Sequence, residues 1–254
     1  MTSRLDLNAD LGEQEGAPPA HVRALLHIVT SANIACGAHA GDGESMRLVA
    51  VEAAAHGVQI GAHPSFPDRE GFGRRAVPMP TAAISDTVAA QIEELGAIAT
   101  RQGAVMRHVK PHGALYNLAA RDRAIADAVV AGIVRPGAAL ALYAPYGSML
   151  AAAGLAAGLR VVYEGFLDRA YEEDGSLTPR DVPGAVLHDP AEACARARIW
   201  AASGFVRTRT GQMLALPLET LCVHGDTYDA VAIATRVRNA LAQAGVRLRP
   251  SLQP

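Results

Sequence analysis

The chain has 254 residues, half of them hydrophobic and 4% aromatic, so it can bury a large core built mostly from small aliphatic side chains. A formal charge of −2 without like-charge runs weighs against nucleic acid or an anionic membrane surface as partner and favours a soluble protein acting on something small. Cys36, Cys194 and Cys222 are odd in number and lack C-x-x-C spacing, which argues against a disulfide framework or structural zinc and fits a reducing cytoplasm.

The first strand is expected over residues 4–9. Arg4, Asp6 and Asp10 interrupt this apolar start, so it does not read as a signal peptide, and no uncharged apolar run reaches the ~18 residues of a membrane span. A helix over 18–30 follows, then a strand over 31–36 and a helix over 44–56 capped by Asp42, with Gly57 left-handed at its end. The third strand, 58–62, leads into a long loop over 64–80, a length that is usually functional or disordered. Thr81 is expected to cap a helix reaching residue 102. The fourth strand is 105–109, with helices over 114–117 and 123–134; the fifth is 139–144, with a helix over 147–157. The sixth strand, 160–164, opens a second long loop, 165–184. A helix over 190–203, a small hairpin over 205–216 turning at Thr210-Gly211, a strand over 220–223 and a helix over 228–244 complete the chain.

Seven strand-plus-helix units in series predict one α/β domain with a parallel sheet, covering residues 1–254. A doubly wound sheet and a closed (β/α) barrel both satisfy the pattern. The barrel is preferred because chemistry-bearing residues follow nearly every strand, and a barrel gathers those loops on one face. Asn8, Asp10 and Glu13 follow the first strand, Asn33, His39 and Asp42 the second, and His63 the third. Lys110 and His112, then Tyr146, then Glu164, Asp168 and Arg169, and finally His224 and Asp226 follow the others. Any one of them alone is more simply a helix cap or loop hydrogen-bonder, as Asp42 and Asp226 are well placed to be; the repetition is the signal.

Lys110 is the only lysine beside 22 arginines. Codon bias would explain one survivor; the alternative is a site that needs a compact ammonium able to lose its proton when buried. Pro111 follows it and cannot continue a central strand, so Lys110 and His112 fall where a strand ends. The four histidines on this face, His39, His63, His112 and His224, suit general acid-base work near neutral pH. A metal site on His39, His63 and His112 is the weaker alternative, because no local ligand spacing is present and it would have to be assembled across strands. The loop after the third strand reads equally as a lid in which Arg74 or Arg75 grips a carboxylate or phosphate and as a solvated loop that docks a partner. Neither a P-loop nor a G-x-S-x-G elbow occurs.

Several ordered motifs resemble the LamB/YcsF family: residues 6–13 (DLNADLGE), 31–37 (SANIACG), 39–42 (HAGD), 61–64 (GAHP), 71–75 (GFGRR), 109–117 (VKPHGALYN), 168–171 (DRAY) and 222–226 (CVHGD). Residues 14–16 and Leu167 depart from the family's pattern, the first in the shape of a loop and the second in packing. The resemblance implies a seven-stranded barrel similar to the glycoside hydrolase/deacetylase superfamily. It also implies ATP-dependent opening of 5-oxo-L-proline to L-glutamate together with subunits B and C, with ATP and Mg as cofactors and no transition metal expected. On that basis Asp10, His63, Lys110, His112, His224 and Asp226 are the expected catalytic residues. Asn8, Glu13, Asn33, Arg74, Arg75, Glu164 and Arg169 are expected to bind substrate, with Arg69 a further candidate anion ligand. A metal-dependent deacetylase or amidohydrolase, or a non-catalytic binding subunit, is the alternative.

Overall fold

The computed structural model describes residues 4–187, 189–225 and 229–252. Seven parallel strands close a barrel in the order β1 (Arg4–Leu11), β2 (Ser31–Ala35), β3 (Gln59–His63), β4 (Met106–Val109), β5 (Ala141–Ala144), β6 (Val161–Phe166) and β9 (Thr220–His224), with β9 pairing back onto β1. The expected barrel is therefore present. Between β6 and β9 the chain makes an antiparallel hairpin of β7 (Phe205–Arg207) and β8 (Met213–Ala215). A two-residue strand that the sequence does not announce, β10 (Arg247–Leu248), pairs with the start of β1.

Eight helices wrap the outside: α1 (Ala20–Leu26), α2 (Gly43–Ala55), α3 (Thr81–Arg101), α4 (Gly113–Ala119), α5 (Arg123–Val134), α6 (Met149–Ala156), α7 (Pro190–Ser203) and α8 (Ala230–Gln243), counted among the described residues. α2 buries Met46, Val49, Ala50 and Ala53, one stripe at helical spacing. Each large aliphatic side chain buried this way contributes about 1.5–3 kcal/mol. Asp42 caps α2 in a reciprocal capping box with Ser45, and Gly57 is left-handed just beyond its end. Of the boundaries that differ from expectation, two have a clear local cause. α1 starts only after the Pro18-Pro19 pair and stops early because Thr30 already bonds to Leu7. Thr81 does not cap α3: it is the first helical residue, and the cap position is Pro80, which has no side-chain donor or acceptor.

Strand alternation decides what fills the barrel. On β1, Leu5, Leu7, Ala9 and Leu11 join the apolar core while Asp6, Asn8 and Asp10 turn to the axis. The interior is consequently polar and layered. In the lowest layer the Asp6 carboxylate accepts hydroxyl hydrogen bonds from Thr30 (2.6 Å), Ser31 (2.7 Å), Tyr143 (3.0 Å) and Thr220 (2.6 Å). Above it, Asn33 donates to Asn8 Oδ1 at 2.7 Å and Asp10 Oδ1 at 2.8 Å, and Asn8 donates to Thr220 Oγ1 at 2.7 Å and Glu164 Oε1 at 3.1 Å. His108 completes this layer by donating from Nε2 to Asn33 Oδ1 at 2.7 Å. Gly61 makes room for that ring: a Cβ there would stand 2.1 Å from His108 Nε2.

Candidate active site at the C-terminal mouth of the barrel

The uppermost layer is organised around Lys110, which leaves β4 just before Pro111. Its ammonium donates to Asp10 Oδ1 and Glu164 Oε1, each at 2.9 Å, and lies 3.0 Å from Cys222 Sγ. The Tyr116 hydroxyl donates to the second Glu164 oxygen at 2.9 Å. Burial works against the charge on Lys110, but Asp10, together with Cys222 and Glu164, more than offsets it and holds the ammonium well above its usual range. Cys222 contributes a polar contact, since burial pushes its own thiol up and keeps it neutral. Burial likewise opposes ionisation of Asp10, yet His63, Lys110 and His224 hold its carboxyl well below the usual carboxylate range. A lysine poised to lose its proton is thus not what the fold builds; it builds a fixed cation between two carboxylates.

His224, at the end of β9, carries the second motif. Its Nδ1 donates to Asp168 at 2.8 Å, which leaves Nε2 facing Asp10 Oδ2 at 3.9 Å, and Phe166 stacks on the ring at 5.6 Å. A carboxylate that fixes the Nδ1–H tautomer and so presents Nε2 as a base is the arrangement general acid-base catalysis requires.

The third group comes from the loops after β1, β2 and β4 and from the last residue of β3. Glu13, His39, His63 and His112 bring one donor atom each to within 4.8 Å of one another. The loop after β3 is shaped around them. Phe72 holds a positive φ of 54°, a costly conformation for a non-glycine residue, and its carbonyl accepts from His112 Nε2 at 2.9 Å. Gly73 follows at φ 64°, where a Cβ would stand 2.8 Å from the His112 ring.

These groups border a cavity of about 690 Å³. Asp10, His63, Lys110, His112, Glu164 and His224 reach it, and Arg74 and Arg169 line its wall, as does Tyr146. Five of the expected ligands lie outside the cavity lining. Asn8 and Asn33 lie beneath the floor in the interior network and orient Asp10 and Glu164 instead of meeting a ligand. Arg75 points away and pairs with Asp68 and Glu70, so it pins the loop. Arg69 bridges the Gly37 and Gly41 carbonyls to Glu15. Asp226 lies outside the described residues. Glu13 stands behind the cavity wall beside the histidines.

Four contributors have no assigned role in the sequence analysis. Tyr116 and Cys222 occur inside recognised motifs, but their meeting with Glu164 and Lys110 depends on barrel closure. Asp168 stands among the strand-end residues without a signal that it would hold His224. His108 is an interior strut. Burial pushes its pKa down to about 3, with Lys110 and His63 adding to the effect. An unfolded histidine titrates near 6.5, so the unfolded chain binds more protons than the native one between those values, and stability falls as pH drops through that window. For this ring alone the loss is expected to reach about 1.4 kcal/mol per pH unit. In denaturant titrations at pH 7, 6, 5 and 4, His108→Gln is expected to flatten the curve; a variant with wild-type slope would contradict this.

The profile of the LamB/YcsF family matches residues 5–254. The chain belongs to the LamB/YcsF family. Among curated LamB/YcsF relatives, a protein named as the A subunit of 5-oxoprolinase, from Symbiobacterium thermophilum, is 49% identical over 244 residues, 96% of this chain and 94% of the relative. Its namesake in Methylococcus capsulatus is 48% identical over 247 residues, 97% of this chain and 95% of the relative. The crystal structure of a lactam utilization protein from Thermus thermophilus superposes with a TM-score of 0.90 at 41% identity, covering 97% of this chain and 99% of that one. No helix among the described residues of this LamB/YcsF chain is long and apolar enough to cross a membrane.

Proposed function

We propose that the basin opens the lactam ring of 5-oxo-L-proline to give L-glutamate, within an ATP-dependent 5-oxoprolinase that also needs subunits B and C. The observation that carries the reading is the His224–Asp168 pair set beside the fixed Asp10–Lys110–Glu164 cluster, facing a cavity with an arginine wall. The names of the curated relatives and of the Thermus protein supply the substrate class.

A five-membered lactam is a poorly activated amide, and coupling to ATP with its Mg supplies the drive. The lactam oxygen takes the γ-phosphoryl group and ADP leaves. Water then adds to the activated carbon and the C–N bond breaks as nitrogen takes a proton, leaving the γ-carboxyl as an acyl phosphate, which a second water hydrolyses to release phosphate. In sum, 5-oxoproline, ATP and two waters give glutamate, ADP and phosphate.

In this reading Arg74 and Arg169 hold the substrate carboxylate, because Lys110 already has both carboxylate partners. His224 Nε2 takes the proton of the attacking water and returns it to the departing nitrogen, while Asp168 stabilises the imidazolium between the two events. Asp10 and Lys110 set the field in which charge develops.

The test is glutamate release from 5-oxoproline and ATP by the purified chain alone, then with subunits B and C. Turnover that requires all three proteins, matched by one ADP per glutamate, is the expected result. No glutamate from a verified ternary assembly would overturn the proposal.

A further inference from the structure

The hydrogen-bond wiring of the histidine group fixes where its lone pairs point. His63 Nδ1 lies 2.7 Å from the Lys110 carbonyl, which can only accept, so Nδ1 carries the proton and Nε2 a lone pair. His112 Nε2 donates to the Phe72 carbonyl at 2.9 Å, which leaves the lone pair on Nδ1. Ser65 spends its hydroxyl proton on the Phe66 carbonyl at 2.7 Å and therefore accepts from His39 Nδ1 at 2.9 Å, which puts the third lone pair on His39 Nε2.

With all three rings neutral, lone pairs oppose one another. His63 Nε2 and His112 Nδ1 are 2.9 Å apart, and the Asp10 carboxylate stands 3.4 Å from the former. His39 Nε2 is buried with no hydrogen-bond partner. A Glu13 oxygen lies 3.7 Å from His39 Nε2 and 4.0 Å from His112 Nδ1. A proton held between His63 and His112 would relieve one opposition and leave His39 Nε2 unsatisfied. One cation answers all four groups.

We propose that Glu13, His39, His63 and His112 form a binding site for a divalent first-row transition ion, zinc in the first instance. Three imidazoles and a carboxylate are the donor set such ions take, and zinc–nitrogen bonds of about 2.0–2.1 Å would place the donors roughly 3.3 Å apart, between the 2.9 Å of the His63–His112 pair and the 4.8 Å within which all four donors lie. Each ring already anchors its other nitrogen on a hydroxyl or carbonyl oxygen, the outer shell that orients metal-binding histidines. The His39 and His112 rings stack at 3.9 Å and 6°, so coordination by both tilts the stack open. His63 and His112 border the cavity, which puts the ion at its wall next to Asp10, where it would polarise an oxygen of a bound ligand. His39, His63 and His112 are the weaker metal alternative in the sequence because no local spacing links them, and Glu13 stands among the expected substrate ligands.

The site does not rest on the lactam proposal, and its test needs neither substrate nor partner subunits. The full-length chain, stripped by chelator and dialysed, is titrated with Zn²⁺ under calorimetry and with Co²⁺ under visible spectroscopy. Expected are about one ion per chain and the intense d–d bands of a four-coordinate cobalt centre. His39→Ala and His112→Ala, checked for folding by circular dichroism, are expected to weaken binding at least ~100-fold; Ser65→Ala, which removes only the anchor of His39, should weaken it about 10-fold. His21→Ala, an exposed histidine elsewhere, should change nothing. No saturable uptake by folded wild-type chain would overturn the site in favour of a shared proton, and unaltered affinity in a folded His39→Ala or Ser65→Ala chain would place the ion elsewhere.

Discussion

Lys110→Met is expected to destabilise the protein by about 3–5 kcal/mol, the usual cost of removing one partner from a buried ion pair. The side chain is 3% exposed, as is Asp10, and Glu164 is fully covered, so water cannot replace the ammonium. Without it two carboxylates would share one dry pocket, with Asn8, Asn33 and Tyr116 as their remaining donors. For a chain of this length the loss corresponds to a fall in Tm on the order of 10 °C. Adding Glu164→Gln should recover part of it, because one stranded charge is removed and the two changes then fail to add. Thermal unfolding of the two variants checks this. A Lys110→Met chain as stable as wild type would show that the cluster is hydrated, contrary to its burial.

The second large effect is on turnover. His224→Ala in the assembled enzyme is expected to lower kcat about 100- to 10,000-fold, the range for a lost general acid-base group. Asp168→Asn should approach the same loss while leaving the ring in place, since an amide facing Nδ1 favours the tautomer with the proton on Nε2, the wrong one for a base. Circular dichroism and size-exclusion chromatography separate this from structural damage: both variants should fold and assemble as wild type does. Either variant turning over at the wild-type rate would move proton transfer to another group.

Legibility of this molecule in its sequence follows a physical line. Apolar periodicity and the turn residues around Asp42, Gly57 and Gly211 place the elements, because those signals are local. The motif around Lys110 and the polar residues after each strand place the reactive mouth, because barrel topology brings strand ends together whatever their separation along the chain. What sequence conceals is orientation across the barrel. Asn8 and Asn33 are expected as substrate ligands, yet strand alternation turns them, with Asp6 and His108, into a buried network that only a closed polar barrel can satisfy. Asp168 meets His224 across 56 residues and Tyr116 meets Glu164 across 48, with nothing in either segment naming its partner. Arg74 and Arg75 are adjacent and chemically identical; loop geometry alone sends one to the cavity and the other to Asp68.

The central claim is that ring opening takes place in this chain's basin, and Asp10→Asn tests it most directly. Asparagine keeps the shape and can still accept from Asn33, so the fold and the assembly with subunits B and C should survive, as size-exclusion chromatography would verify. Glutamate release by that assembly, measured beside wild type at equal concentration, is expected to fall by about three orders of magnitude because the charge organising Lys110, His63 and His224 is gone. Glutamate release at the wild-type rate would contradict the account and leave the basin a place where substrate is held while a partner protein does the chemistry.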